Sequence, residues 1–222
     1  MDQNWNPGMT DGRKYSLNDM VRVGCGDCMG CSACCRGMEG LVLNPKDIYN
    51  LTVHLGVSFE ELMADKIKLQ MEDGLILPGL QMNGEEDACA FLDKNGRCSI
   101  HSFRPGICRL FPLGRDYEEG RIQYIFLVNG CQKQERTKVK VRKWIAAPDM
   151  EKEEKFLLKW HSFQKEARAA AGDGREPEKA KAVNLRILKT FYMTPYDRET
   201  DFYSQFEERL EQARISLTNQ EG

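Results

Sequence analysis

The chain alternates between two kinds of hydrophobic patterning. "NPKDIYNLTVHLG" reads as a helix, with Asn44 as N-cap, Pro45 at the first helical position and Gly56 ending it. "SFEELMADKI" begins another, with Ser58 as cap and Glu61 three residues on, the spacing of a capping box. Between Lys68 and Asn83 short apolar stretches are broken by "EDG" and "PG", which predicts a hairpin or irregular strands. "ACAFLD" and "RCSI" flank the turn signal "KNG" and read as two short strands, one carrying Cys89 and the other Cys98. "GRIQYIFLV" is the strongest strand pattern, with "DYEEG" turning into it from "LFPLGR".

After Cys131 the pattern changes. "TKVKVRKWIA", "EEKFLLKWHSFQKEARAAAG", "PEKAKAVNLRILKTFY" and "DFYSQFEERLEQARISL" read as amphipathic helices, with "AGDGREP" as a break. The fold class expected is therefore α+β: a small cysteine-rich region of short strands and helices organised by metal, then a helical C-terminal region. The expected organisation is a flexible lead-in over 1–19, a cysteine-cluster metal-binding domain over 20–133, and a helical extension over 134–222 packed on it. The aromatic residues of that extension, Trp160, Phe163, Phe191, Tyr192, Phe202, Tyr203 and Phe206, are expected to do the packing. His54 and His161 are expected to be ordinary helical histidines.

Charge narrows the function little. Lys and Arg number 32 against 34 Asp and Glu, a formal net charge of −2. That lacks the basic excess of a nucleic-acid binder. No apolar run approaches the roughly 20 residues that span a bilayer. The first twenty residues have no secretory apolar core, so the expected location is cytoplasmic, with no membrane and no nucleic acid as partner.

In a reducing compartment clustered cysteines hold metal or do redox chemistry rather than form a disulfide framework. Of the nine cysteines, five fall between Cys25 and Cys35. Cys25, Cys28, Cys31 and Cys34 recur every third residue among glycines, and Cys-x-x-Cys turns bring two sulfurs within reach of one ion. Cys34 and Cys35 are adjacent; neighbouring side chains usually diverge, so the pair is expected not to grip a single ion comfortably. Cys89, Cys98, Cys108 and Cys131 can supply further ligands. His101, three residues after Cys98, has ligand spacing, and Cys25 and His101 are kept as further candidates. Pro105 is expected to start a short helical turn presenting Cys108, with Arg104 and Arg109 beside it to offset thiolate charge.

Spacing leaves zinc and an iron–sulfur cluster both open. Cys25, Cys28, Cys31 and Cys35 reproduce the bacterial ferredoxin spacing, but Arg36 stands where proline usually follows and no second half is present. The three-cysteine loop of radical S-adenosylmethionine enzymes cannot be assembled.

Together, "CMGCSACCRG", "LVLNPKDIYNL" and "CAFLDKNGRCSIHSFRPGICRLFP" resemble the YkgJ-type cysteine-cluster family, described as chelating zinc or iron, over roughly residues 25–133. The resemblance implies metal ligands at Cys28, Cys31, Cys34, Cys35, Cys89, Cys98, Cys108 and Cys131, and makes Cys25 an addition to the usual pattern. The same domain type occurs in flagellin lysine N-methylases, which implies protein methyl transfer as an alternative function. No glycine-rich nucleotide-binding turn is visible to support it. A structural zinc module that binds a protein partner is the other alternative, and the cofactor expected is zinc or an iron–sulfur cluster.

Overall fold

Residues 8–24, 32–38, 40–131, 135–172 and 176–218 are described in the structure, a computed structural model. The elements are β1 (Thr10–Tyr15), β2 (Met20–Gly24), α1 (Pro45–Leu55), α2 (Phe59–Asp65), β3 (Ile67–Glu72), β4 (Leu75–Leu80), β5 (Met82–Asn83), β6 (Ala88–Cys89), α3 (Gly106–Leu110), β7 (Leu113–Glu118), β8 (Arg121–Leu127), β9 (Thr137–Lys140), α4 (Val141–Ile145), α5 (Met150–Ala171), α6 (Pro177–Leu188) and α7 (Phe202–Thr218). A short 3₁₀ turn spans Ala33–Cys35, another His101–Phe103, and a π-helical turn Lys189–Met193 continues α6. The class is α+β, and among the described residues no helix is long and apolar enough to cross a membrane.

These elements form two units, each assembled from two stretches of chain: Met1–Glu39 with Met82–Leu158, and Gly40–Gln81 with Lys159–Gly222.

The first unit holds every described cysteine. Its main sheet has the order β1-β8-β7, all antiparallel. β7 and β8 run in unbroken register from Leu113↔Phe126 to Glu118↔Arg121, turning through Glu119 and Gly120 at φ 51° and 72°. The lead-in expectation for 1–19 is corrected over residues 8–19. β1 lies within it, pairing Tyr15 with Tyr124 and Thr10 with Leu127. As an edge strand with mostly exposed side chains, β1 is held by ladder hydrogen bonds, which leave no hydrophobic alternation to read.

"TKVKVRKWIA" is also corrected. Its first half is a strand, β9, paired with β2, and the helix starts only at Val141 and ends at Ala146 in the left-handed region (φ 50°). β-branched valines alternating with lysines suit a strand better than a helix, and the partner strand lies more than a hundred residues away in sequence. Val21 and Val23 of β2 join Leu110, Leu113, Tyr124, Val141 and Ile145 in the unit's buried core. Tyr124 is seated by its hydroxyl donating to Glu154 at 2.9 Å.

In the second unit both caps form as the sequence implies. Asn44 Oδ1 accepts from the Asp47 amide and Asp47 returns a bond to the Asn44 amide, at 2.9 and 3.1 Å. Ser58 and Glu61 do the same at 3.1 and 2.7 Å. β3 and β4 form a hairpin closed by Asp73 and Gly74, both at positive φ (48° and 84°), the requirement of a two-residue type I′ turn. Buried Asn184 of α6 accepts from the Ile76 amide at 2.6 Å and donates to the Ala180 carbonyl at 2.9 Å. Trp160, Phe163, Phe191 and Phe206 pack against one another with centroids 5.0 to 6.2 Å apart, Trp160 and Phe163 stacked and the other pairs edge-on or tilted.

Candidate metal centre

The cysteine site is built from a turn and a strand. Ser32 adopts the left-handed conformation (φ 48°) and opens the 3₁₀ turn, closed by the Cys35 amide donating to the Ser32 carbonyl at 2.9 Å. Within that turn the Cys34 and Cys35 sulfurs are 3.9 Å apart. The expected divergence of adjacent side chains is therefore corrected: both thiols swing to the same side. Two sulfurs bound tetrahedrally at about 2.3 Å from one zinc stand ~3.8 Å apart, so the pair matches one edge of such a site.

Arg36 forms an antiparallel bridge with Ala88, and the Gly37 amide donates to the Asp87 carbonyl at 3.0 Å. Gly37 sits at φ 62°, a conformation that glycine adopts without strain. The Arg36 guanidinium pairs with Glu86 and lies 3.4 Å from Ser32 Oγ. The thiol turn is thereby fastened to β6, which ends at Cys89.

Cys89 and Cys98 are joined through Leu92, whose amide donates to the Cys89 carbonyl at 2.8 Å and whose backbone bridges Cys98. Between them Asp93 accepts from the Asn95 and Arg97 amides at 2.8 and 2.9 Å, folding "DKNGR" into a tight turn. The sequence expectation of strands around this turn holds for Cys89 in β6; Cys98 has only the isolated bridge. A Cβ at Gly96 would meet Ser32 Oγ at 3.6 Å, so this turn abuts the Cys34–Cys35 turn.

Electrostatics register the same grouping. The Cys35 thiol is pushed well up, first by the Cys34 thiol beside it, then by burial, then by the negative charges that Cys34, Cys89 and Cys98 would carry. Burial likewise raises Cys98, while the Ile100 amide and the Arg104 guanidinium pull it down and Cys34 pushes it up. Thiolates so crowded repel each other unless a cation lies among them. A thiolate-binding metal, zinc or iron, is what such a donor set fits.

His101 is exposed, with its Nε2 3.2 Å from an Arg104 nitrogen, and burial followed by Arg104 and Arg109 holds its pKa below the ordinary value. Arg109 donates to the backbone carbonyls of Ser102 and Arg104 at 2.6 and 3.1 Å, so it braces the loop leading to Cys108. Cys108 sits half-buried in α3, which Pro105 opens as the N-cap. Cys131 is half-buried beyond the end of β8. Cys25, Cys28 and Cys31 lie outside the described residues. Among the described residues, no three His, Cys, Asp or Glu side chains already close on one metal position.

Sequence reasoning missed Ser32, and noted Arg36 only as an arginine beside the cysteines, not as the residue that ties their turn to β6. A serine opening a 3₁₀ turn in the left-handed region carries no motif, and the Arg36–Ala88 bridge is non-local.

Residues 27–139 match the family CxxCxxCC, titled "Putative zinc- or iron-chelating domain". The family's eponymous spacing falls on Cys28, Cys31, Cys34 and Cys35, and Cys25 lies ahead of the matched span. The chain is also 29% identical over 96 residues to the uncharacterized protein MJ0661 of Methanocaldococcus jannaschii, a match covering 43% of this chain and 48% of that protein. It thus spans about half the length of that relative. No solved structure matches significantly. The chain belongs to the YkgJ-type, CxxCxxCC family of zinc- or iron-chelating domains.

Proposed function

We propose that the protein holds a mononuclear zinc ion on thiolates, with Cys34 and Cys35 sharing the ion and Cys89 and Cys98 drawn onto it from the adjoining strand and turn. The observation that carries this reading is the 3.9 Å separation of the Cys34 and Cys35 sulfurs. In a four-iron cluster each iron takes one cysteine, which sets cysteine sulfurs farther apart than two ligands on one ion; a two-iron cluster does put two cysteines on one iron, and labile sulfide distinguishes it from zinc. Four thiolates leave no open coordination position, the arrangement of structural rather than catalytic zinc. The ion then fixes the loops that carry its ligands, and binding energy becomes folding energy for the first unit.

Arg104 moderates the charge of the loaded site through Cys98. The unit's role in this reading is a metal-braced surface for a protein partner. The test is chelation: removing the metal should lower the melting temperature and release loops 32–38 and 88–108 in hydrogen exchange, and zinc should restore both. Restoration by ferrous iron together with sulfide, and not by zinc, would replace this reading with a cluster.

A further inference from the structure

One strongly charged face has no part in the metal site. β2 and β9 form a two-stranded ribbon in which Val21 faces Val139, while Arg22 stands directly opposite Lys138 and Met20 opposite Lys140. Val21 and Val23 are buried in the core and Val139 packs against it, which fixes the other face outward. That outward face carries Met20, 48% exposed, and the exposed Arg22, Lys138 and Lys140; the exposed Arg142 and Lys143 continue the run into α4. Residues 135–143 contain five cations and one acid, in a chain whose net charge is −2.

Among the described residues none of Arg22, Lys138, Lys140, Arg142 and Lys143 has an acidic partner. Asp19, at the foot of β2, is engaged instead by the Ser16 amide and hydroxyl at 2.7 and 2.8 Å. Like charges directly opposite across a ladder weaken the pairing. The Arg22–Lys138 pair therefore costs the fold something and gains nothing within it.

We propose that this ribbon is a docking face for an extended acidic segment of a partner protein. Cations at alternate positions of a strand match the period of acidic side chains on one face of an extended peptide. Among the described strands each ribbon strand has one edge unpaired, so the segment can add to the ribbon through main-chain hydrogen bonds. A nucleic acid fits less well: no exposed large hydrophobic side chain among the described residues is aromatic, so bases have no stacking platform. An anionic membrane fits less well because Met20 is the face's single apolar group to insert.

The test is fluorescence anisotropy of the metal-loaded full chain with a labelled peptide of Glu-Thr repeated six times. A thymidylate dodecamer and phosphatidylserine vesicles serve as competitors. Binding of the peptide is expected to weaken at least tenfold in Lys138→Glu/Lys140→Glu and in the milder Lys138→Gln/Lys140→Gln, and to be unchanged in Lys181→Glu. It should also weaken several-fold between 50 and 200 mM salt. Arg22→Gln should weaken binding yet raise the melting temperature by about 1–3 °C, since it relieves the cross-strand repulsion. Preference for the oligonucleotide or the vesicles overturns the proposal. So does peptide binding that the double variants leave intact. Absence of binding, with self-association of the double variants, would instead make these lysines guards of an open edge.

Discussion

The sulfurs of Cys34 and Cys35 lie 3.9 Å apart inside one 3₁₀ turn. Adjacent residues rarely aim at one point, and here the turn that Ser32 opens makes them do so. On this account the pair acts as one half of a tetrahedral shell.

Cys34→Ser and Cys35→Ser should each remove most of the metal from this site. The double variant should lose little more than either single one, because the two act as a unit. Elemental analysis of the purified variants measures this; fully additive partial losses would mean that the two sulfurs serve separate ions.

The downstream and upstream cysteines should differ in weight. Cys98→Ser, which removes one of the four proposed thiolates, is expected to lower both bound metal and melting temperature, whereas Cys25→Ser, which lies ahead of the span matched by the family, should lower them much less. Equal losses from the two changes would contradict this ordering.

Much of the scaffold was legible because it is local. Asn44, Ser58, Glu61 and Gly56 announce their helix ends by side-chain chemistry that acts over three or four residues. The Asp93–Gly96 turn and the β8 pattern are equally local. What was not legible depends on distant partners: β1 has polar outward positions and exists through β8, and β9 exists through β2. The candidate site divides the same way. Its residue types stand in the sequence, but the approach of Cys34 to Cys35 and the docking of their turn onto β6 follow from backbone conformation and from the Arg36–Ala88 bridge.

Asn184 should matter more than its polar side chain implies. It is 4% exposed and supplies the acceptor for the Ile76 amide at the β3–β4 hairpin. Asn184→Ala leaves that amide short of a partner and should cost about 1–3 kcal/mol. Thermal unfolding should show a drop of about 2–4 °C per kcal/mol for a chain of this size. An unchanged melting temperature would show that the hairpin does not depend on this bond.

Asp197 should give the loop after the π-helical turn a defined pH dependence. The Glu199 amide at 3.0 Å, then the Thr200 hydroxyl at 2.8 Å, stabilise its carboxylate and hold its pKa below the ordinary value. A lowered folded-state pKa favours the folded loop fully above the ordinary carboxylate value of about 3.9. The contribution fades as pH falls through the lowered folded value. Exchange of the Glu199 amide, followed from pH 6 down to 2, should accelerate relative to its intrinsic rate only across that acidic window; Asp197→Asn should abolish the transition. A transition that persists in the Asn variant would assign it to another group.

The most direct measurement is metal and acid-labile sulfide per chain in anaerobically purified protein, taken with the visible spectrum. A mononuclear thiolate site should give stoichiometric zinc, no labile sulfide and no visible band, with the zinc lost in Cys34→Ser. Iron matched by sulfide and a broad visible absorption, or no stoichiometric metal at all, would contradict it.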